Sequence, residues 1–465
     1  MKHLKWYIQL DELNVPFLFY VRIHLQIHNI TKLYLLSIHS KLFFFIYFIG
    51  DTVEIFGIIV LLVSGFYFSF KLKFKHLNMI KALKVITRKE NGISSFKSLC
   101  ISLASRIGVG SLSGVVLSIY LGGIGSIFWM WLITLVCSSN TMIESMLSIK
   151  YRKDNNDDTF EGGPFYYIES KSKKLSLVYA VIFLLSYTIG FTMIQSNTIS
   201  IVITEFVPIP SIIIGIILVI LTSLIVFKGI KEIASIISKL IPLIALLYIS
   251  TCLIVIFKNI NLIGNLVILI IKEAFNMKSF VVGFVVGCTK SIFSTEAGLG
   301  TGAIACASTS NANAKEQGLV QVFGIFFDTF VVSTLTAFVV LLSPKLSVNL
   351  TNFNGIEVTR YAFIYHLGKY GGLILTISII LFAFSTIISS YYYGEVALKY
   401  ITKSENTIIL KITTILILLI STIISPMFIW ETIDTSIVIL AIFNTIFLIL
   451  LRKDVFDMMK KYDRI

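Results

Sequence analysis

The chain has 465 residues, of which 56% are hydrophobic and only 14% are charged, and its mean hydropathy is +0.89. A soluble domain carries about a quarter charged residues, and a membrane-spanning helix needs roughly 20 apolar residues. The composition therefore excludes a soluble enzyme and a nucleic-acid-binding protein. The excess of 39 Lys and Arg over 25 Asp and Glu is what the cytoplasmic loops of a membrane protein require.

Apolar stretches long enough to cross a bilayer occur at about eleven places. No alternating pattern of the kind that membrane strands need is repeated, so we predict an all-α polytopic membrane protein. The expected spans are 53–70, 98–121, 126–149, 175–203, 209–227, 240–256, 280–307, 317–342, 372–397, 407–424 and 428–451. The five cysteines lie in or beside these stretches and form no Cys-x-x-Cys pair, so we expect them to be buried packing residues.

These spans divide the chain into two sets of five helices with shorter segments around them. We expect an N-terminal extension of unassigned function at 1–50, rich in aromatic residues and histidines, and then a leading helix and cytoplasmic loop at 51–97. The first five-helix repeat is 98–258, an amphipathic interfacial connector is 259–279, the second repeat is 280–451 and a cytoplasmic tail is 452–465.

The distribution of Lys and Arg predicts the orientation. Basic residues concentrate in alternate loops, at 71–89, 150–174, 228–239, 399–403 and 452–453. The loops between them, at 122–125, 205–210 and 426–431, carry almost none. Cytoplasmic loops hold the excess of positive charge. We therefore expect the C-terminus in the cytoplasm and the chain in the plasma membrane, of the bacterial inner-membrane type.

Two of the predicted spans contain Gly-x-Gly followed by Ser or Thr, at 108–111 and at 298–301. Each is the first helix of its five-helix set. Small residues also allow helices to pack closely, which is the alternative explanation. Matching interruptions in two halves indicate discontinuous helices in an inverted-repeat transporter, where free N–H groups hold a carboxylate and free carbonyls hold a cation.

Several motifs resemble the alanine or glycine:cation symporter family. They are Asn-Gly-Ile-Ser-Ser-Phe at 91–96, Phe-Trp-Met-Trp at 128–131, Glu-Gly-Gly-Pro-Phe-Tyr-Tyr-Ile at 161–168, Gln-Ser-Asn at 195–197, Phe-Ser-Thr-Glu-Ala-Gly at 293–298 and Phe-Ala-Phe-Ser-Thr at 382–386. The resemblance is collinear from the first span to Asn444. It implies a leucine-transporter-like fold of ten core helices plus a leading helix, and sodium-driven uptake of alanine or glycine.

The resemblance also implies positions for the ligands. A sodium ion, the coupling ion rather than a tightly held cofactor, would meet four groups: the carbonyls of Ala104 and Ile107 and the hydroxyls of Ser385 and Thr386. The substrate carboxylate would meet the N–H groups of Val109 and Gly110, and its ammonium group the carbonyls of 293–298. The other expected contacts with the amino acid are Ser111, Gln195, Asn197, Thr295, Gly298 and Ser390.

The chain departs from the family's usual pattern at several pocket positions. It has Gly-Val-Gly-Ser at 108–111 where the family usually has Gly-Thr-Gly-Asn, and Ser-Thr-Glu at 294–296 where Ser-Asn-Glu is usual. Thr141 replaces a Lys. Ser389-Ser390 replaces Gly-Trp, which leaves room for a larger amino acid.

Arg106 stands where a small or hydroxyl residue is usual. It either occupies or repels the cation site, or, as we favour, pairs with Glu144, Glu296 or Asp328.

The leading hypothesis is a sodium-coupled symporter of a small neutral amino acid that works as a monomer in the lipid bilayer. A sodium-independent or proton-coupled carrier of a larger amino acid is one alternative, and an amino-acid sensor that transports nothing is another. An enzyme is not expected, because no nucleophile, base and metal constellation occurs among the polar midspan residues.

Glu144, Asp328 and Glu395 are expected to bond to backbone breaks or basic groups. Tyr391–Tyr393 are expected in the interfacial belt.

Overall fold

Helices account for nearly all of the described chain. The structure is a computed structural model that describes residues 36–155, 159–277, 279–344, 355–424 and 426–463. In chain order the helices are α1 Leu36–Lys71, α2 Met79–Ile86, α3 Ser95–Arg106, α4 Val115–Gly122, α5 Ser126–Tyr151, α6 Pro164–Glu169, α7 Lys173–Leu185, α8 Thr192–Thr204, α9 Ser211–Val226, α10 Ile230–Lys258, α11 Ile260–Ala274, α12 Phe280–Thr295, α13 Thr301–Ala307, α14 Ala314–Phe326, α15 Thr334–Leu341, α16 Ile356–Thr402, α17 Ile408–Ser421, α18 Pro426–Leu450 and α19 Arg452–Asp463. A two-stranded antiparallel hairpin, β1 Lys153–Asp154 with β2 Phe160–Glu161, follows α5.

Seven helical stretches among the described residues are long and apolar enough to cross a membrane. The bent pair α3 and Gly110–Gly122 adds an eighth if it counts as one span, and α9, α12 and α17 are shorter apolar helices. The prediction of an all-α multi-pass membrane protein is confirmed. The count of eleven spans and the 5+5 repeat stay predictions.

The first predicted interruption is present between α3 and α4. The helix ends at Arg106, because Ile107 takes non-helical angles (φ −80°, ψ 79°). A π-helical turn, Gly110–Gly114, then leads into α4, and the two halves are bent by 50° relative to each other. The helix therefore breaks where the Gly-x-Gly motif predicted that it would.

The second predicted interruption separates α12 from α13. Glu296, Gly298 and Gly300 all have left-handed backbone angles, with φ of 53°, 78° and 82°. Glycine adopts this conformation without steric cost, whereas Glu296 does not. Gly300 also has a packing reason, because a Cβ atom there would lie only 1.9 Å from Pro164 Cγ. Both discontinuities are therefore as the sequence predicted.

Two more π-helical turns lie within the long helices. Ser186–Phe191 joins α7 to α8, and Phe327–Ser333 joins α14 to α15. Such turns widen a helix locally and occur often at functional positions. Both place polar or aromatic side chains against the helix breaks, as described below.

The helix α16 is longer than the predicted span because it continues through a kink at Gly368 (φ 66°, ψ −159°). Its first part packs against the π-helical turn that leads into α4, where the Thr359 hydroxyl donates to the Leu112 carbonyl (3.0 Å). The expectation for Tyr391–Tyr393 is wrong. The three rings are buried inside the bundle, where Tyr393 packs against Tyr187 and Tyr392, whereas a belt would expose them on its surface.

Two further expectations concern the cysteines and the N-terminal extension. All five cysteines are buried free thiols, as predicted. The extension at 1–50 falls almost entirely outside the described residues, which begin at Leu36. The connector at 259–279 contains one helix, α11, which packs against α5.

Candidate functional site

The two helix breaks meet in the centre of the bundle and are joined there by one carboxylate. Asp328, at the π-helical turn after α14, accepts a hydrogen bond from Ser294 at 2.7 Å and another from Ser111. The two hydroxyl oxygens are 3.1 Å apart. Ser111 follows the first break and Ser294 precedes the second. This serine–aspartate bridge (Ser111, Ser294 and Asp328) therefore ties the two broken helices together, and all three side chains are buried.

The expected sodium ligands lie on both sides of the interface between α3 and α16. The Thr386 hydroxyl donates to the Ala104 carbonyl at 2.7 Å, so the two oxygens are adjacent. Gly108 makes this approach possible, since a Cβ atom there would lie 2.6 Å from Thr386 Oγ1. Ile107 terminates α3 one residue earlier, and Ser385 donates to the Phe382 carbonyl of its own helix (2.7 Å).

Gln195 lies against the first break, as expected for a substrate contact. Its Oε1 accepts a long hydrogen bond (3.4 Å) from the Val109 backbone N–H. Gly110 packs closely on Phe293, because a Cβ atom there would lie 2.9 Å from the ring. The Phe293 ring stacks on Phe191 with centroids 5.2 Å apart. An amide, a backbone N–H and an aromatic pair therefore surround this side of the break.

Four other expected substrate contacts lie elsewhere or are turned away from the first break. The Asn197 amide donates to the Ser421 and Ile424 carbonyls (2.9 and 2.8 Å), and so holds the end of α17. Thr295 bonds to the Ser291 carbonyl of its own helix at 2.8 Å. The Gly298 carbonyl accepts from Asn444 on α18 (2.9 Å). Ser390 is buried, and its hydroxyl has no hydrogen-bond partner among the described residues.

Glu144 and Glu296 are completely buried beside the second break. Glu144 Oε2 accepts from the Gly300 N–H (3.1 Å) and from Asn444 Nδ2 (3.0 Å). Glu296 Oε1 accepts from the Ser105 hydroxyl (2.6 Å). A carboxylate that accepts a backbone N–H satisfies a donor freed by the unwinding. Glu144 therefore bonds to a backbone break, as predicted, and Glu296 links the two breaks.

Arg106 lies among the three carboxylates without a direct ion pair to any of them. Its Nη1 donates to the Gln321 carbonyl (3.3 Å) and toward the Ser102 hydroxyl (3.5 Å). Within the described residues, no carboxylate oxygen comes within 4.0 Å of its nitrogens. The expected direct pair is therefore not formed. The guanidinium lies next to α13 and α14, where Cβ atoms at Gly302 and Gly324 would lie 2.7 and 2.8 Å from its nitrogens.

Charged groups mark the two ends of the bundle. Lys399 near the end of α16 pairs with Glu161 (3.2 Å), Glu395 (3.6 Å) and the exposed Glu405 (2.7 Å). These four residues line a cavity of about 530 Å³ that continues to Tyr392. At the opposite end of the bundle, Arg360 on α16 pairs with Glu205 after α8. Lys290 on α12 pairs with Asp434 on α18.

Sequence reasoning missed the bridging role of Asp328 and the positions of Gln321 and Asn444. For Asp328 and Gln321 the sequence did contain a usable pattern. Gln317, Gln321, Gly324 and Asp328 recur at helical spacing and so lie on one face of α14 and the turn that follows it. Asn444 gave no such signal, because it is an isolated amide in an apolar helix. Only its contacts identify it.

Paired helix breaks at the centre of a membrane bundle are typical of secondary transporters. The comparisons with known proteins agree with this class. The chain belongs to the sodium:alanine symporter family, whose family model matches residues 44–465.

Relatives of established or assigned transport function are similar over most of the chain. A probable sodium/glutamine symporter, GlnT of Bacillus subtilis (strain 168), is 35% identical over 422 residues, which cover 88% of this chain and 87% of that protein. The sodium/alanine symporter AgcS of Methanococcus maripaludis is 31% identical over 428 residues, with coverages of 88% and 94%. The putative sodium/proton-dependent alanine carrier YrbD of Bacillus subtilis is 31% identical over 433 residues, with coverages of 88% and 89%. The protein is thus a cation-coupled amino-acid transporter of the membrane and not an enzyme.

Proposed function

We propose that this protein carries a small neutral amino acid, alanine or glycine, into the cell together with sodium. The observation that carries the proposal is the meeting of the two broken helices at the serine–aspartate bridge. Broken helices supply free backbone groups for a substrate and an ion near the midplane of the membrane. Transport then proceeds by alternating access, in which one helix bundle rocks against the other around this point.

The proposed sodium site consists of the Ala104 and Ile107 carbonyls and the Ser385 and Thr386 hydroxyls. Oxygen ligands suit a hard cation. The support is the contact between Thr386 and Ala104, which places two of the four oxygens side by side next to the first break. Sodium bound there would replace the Thr386 hydrogen bond and hold α3 against α16.

The proposed amino-acid site lies between the two breaks, next to the sodium site. The carboxylate would accept from the Val109 and Gly110 N–H groups, and Gln195, which now accepts from Val109, would rearrange to contact the substrate. The stacked rings of Phe293 and Phe191 form an apolar wall suited to a short side chain. The ammonium group would meet carbonyls of the 293–298 break.

A larger neutral amino acid, glutamine, is the second candidate for the substrate. Ser390 takes the place of the Trp that is usual in the family, and its buried hydroxyl is unpartnered among the described residues. A hydroxyl without a partner is available to an amide side chain. The relative GlnT is named as a probable sodium/glutamine symporter.

The position of Arg106 argues against sodium-independent transport. Its guanidinium contacts Gly302 and Gly324, on α13 and α14, whereas the proposed sodium ligands face α16. A cation on the far side of α3 does not fill the sodium site. We therefore keep sodium as the coupling ion and assign Arg106 to another role below.

The test is uptake of radiolabelled alanine, glycine and glutamine into proteoliposomes that contain the purified protein. An inward sodium gradient is compared with the same gradient of choline. We expect sodium-dependent accumulation of at least one of the three amino acids, and the preferred one decides between the two substrate candidates. Equal uptake with sodium and choline would contradict sodium coupling. Binding without any uptake would favour a sensor.

A further inference from the structure

Three buried polar atoms without partners converge on Gly302, outside the proposed sodium site. A methyl group at Gly302 would lie 2.7 Å from Arg106 Nη2, 3.3 Å from Glu144 Oε1 and 3.6 Å from Gln321 Oε1. None of these three atoms has a hydrogen-bond partner among the described residues, and all three side chains are at most 1% exposed. An unsatisfied buried polar atom destabilises the folded protein, so a cluster of three needs an explanation.

The two oxygens of Glu144 have different surroundings. Oε2 accepts from the Gly300 N–H and from Asn444 at the second break. Oε1 instead borders the space at Gly302, which Arg106 Nη2 and the side-chain amide oxygen of Gln321, Oε1, also border. Two oxygen atoms that face each other can be joined only if one of them bears a proton. A proton on Glu144 Oε1 would add a second donor to this cluster, beside the one that Arg106 Nη2 already offers.

The charge balance of the cluster also requires positive charge. Glu144, Glu296 and Asp328 are each fully buried, and the one guanidinium near all three belongs to Arg106. A buried charge that no opposite charge compensates is strongly destabilising. No group of three or more His, Cys, Asp or Glu among the described residues could hold a metal ion. A proton on one of the three acids would supply part of the missing charge.

A seam of polar side chains connects this cluster with the end of the bundle near Glu90. On α14, Gln321 Nε2 donates to Ser98 (3.3 Å) and Gln317 Nε2 donates to Ser95 (2.6 Å). The Ser95 hydroxyl in turn donates to the half-buried Glu90 (2.7 Å). We call Ser95, Ser98, Ser102, Gln317 and Gln321 the polar seam. It runs along facing sides of the two helices, from Ser95 to Ser102 on α3 and from Gln317 to Gln321 on α14.

We propose that Glu144 Oε1 is a proton-binding site of the transport cycle, reached from water at the Glu90 end through the polar seam. The proton adds to the carboxylate and returns to the same aqueous phase when Glu144 ionises again. Charge-assisted hydrogen bonds are about twice as strong as neutral ones. Protonation would therefore weaken the hydrogen bond between Glu144 and the Gly300 N–H and free the second break to move. This last step rests on the proposed function, because it assumes that the break moves during transport.

The groups that face Glu144 come from several elements. Arg106 on α3 is the nearby cation, and Glu296 at the break is the nearby acid. The Tyr167 and Tyr179 phenols and the Cys306 thiol also lie near it, on α6, α7 and α13. Of these groups only Arg106 carries a positive charge. Its removal should therefore strengthen proton binding at Glu144.

The test uses Glu144→Gln, which imitates the protonated acid. Its amide oxygen can accept from Gly300 and its NH₂ group can donate toward Gln321. Initial rates of sodium-driven uptake are measured from mildly acidic to mildly alkaline pH, with equal pH on both sides. We expect the wild-type rate to pass through an inflection that Glu144→Gln lacks. Glu395→Gln, a control near the end of α16, should keep it.

A second variant, Arg106→Gln, tests whether the nearby guanidinium sets the pH of the inflection. Arg106→Gln should move the inflection to higher pH by about one unit or more, which is at least a tenfold rise in proton affinity. An inflection that persists in Glu144→Gln, that stays in place in Arg106→Gln, or that is absent from the wild type would each overturn the proposal.

Failure of the proposed function would be recognised separately. If the wild type shows no sodium-driven uptake, thermal unfolding of the purified protein against pH replaces the uptake rates. Wild type and Glu144→Gln should then differ in the pH dependence of their unfolding temperatures. Parallel curves would overturn the proton site even in that case.

Discussion

Thr386→Val removes one hydroxyl from the proposed sodium site and preserves the shape of the side chain. The hydroxyl lies 2.7 Å from the Ala104 carbonyl, where it would be one of four oxygen ligands of the ion. An interaction with a charged group is worth about 1.5–3 kcal/mol, and about 1.4 kcal/mol changes an equilibrium constant tenfold. We therefore expect the sodium concentration for half-maximal uptake to rise about ten- to a hundredfold.

The assay is amino-acid uptake into proteoliposomes titrated with external sodium at constant ionic strength. Ser378→Ala is the matched control on the same helix, because its buried hydroxyl bonds only to the Ile374 carbonyl of α16 (2.8 Å). The control should keep the wild-type sodium dependence. An unchanged sodium dependence in Thr386→Val would refute the placement of the ion between α3 and α16.

Three further variants examine other parts of the structure. Gly300→Ala should destabilise the protein by about 2–5 kcal/mol in thermal unfolding, because it combines a left-handed backbone with a clash on Pro164. The control Gly264→Ala has open space around the new methyl group and should leave the unfolding temperature nearly unchanged. Gln195→Leu should raise the KM for the amino acid about tenfold. Asn197→Leu should lower stability instead, because it frees the Ser421 carbonyl at the end of α17 and the Ile424 carbonyl just after it. Burial lowers the pKa of His76 to about 4 from 6.5, so the unfolded state binds its proton more readily. Stability should therefore fall below pH 6.5, by about 2 kcal/mol at pH 5 relative to His76→Gln.

The local features of the fold could be predicted from the sequence. Gly-x-Gly motifs located both breaks. At the second break Gly298 and Gly300 adopt backbone angles that other residues avoid, whereas at the first break Gly108 and Gly110 allow close approach of Thr386 and Phe293. Long apolar stretches likewise predict helices without any knowledge of their neighbours. The left-handed conformation of Glu296 gave no such signal, because the surrounding contacts impose it.

Contacts between distant helices could not be predicted in the same way. The motif around Ser294 located the second break, but the partner of that serine, Asp328, lies 34 residues further along the chain. Asn197 belongs to a family motif and was expected at the substrate, yet its amide holds the end of α17. A motif identifies which residues are unusual, whereas the packing of the helices decides which atoms they meet.

The central claim is that sodium and an amino acid bind next to each other at the joined breaks and stabilise one another. Equilibrium binding to the purified protein in lipid nanodiscs tests it, by calorimetric titration of the amino acid with and without sodium, and of sodium with and without the amino acid. Linkage requires that each ligand raise the affinity of the other by the same factor. We predict a factor of about ten or more in the wild type, and a smaller one in Thr386→Val. Amino-acid affinity that is the same with and without sodium would contradict the account.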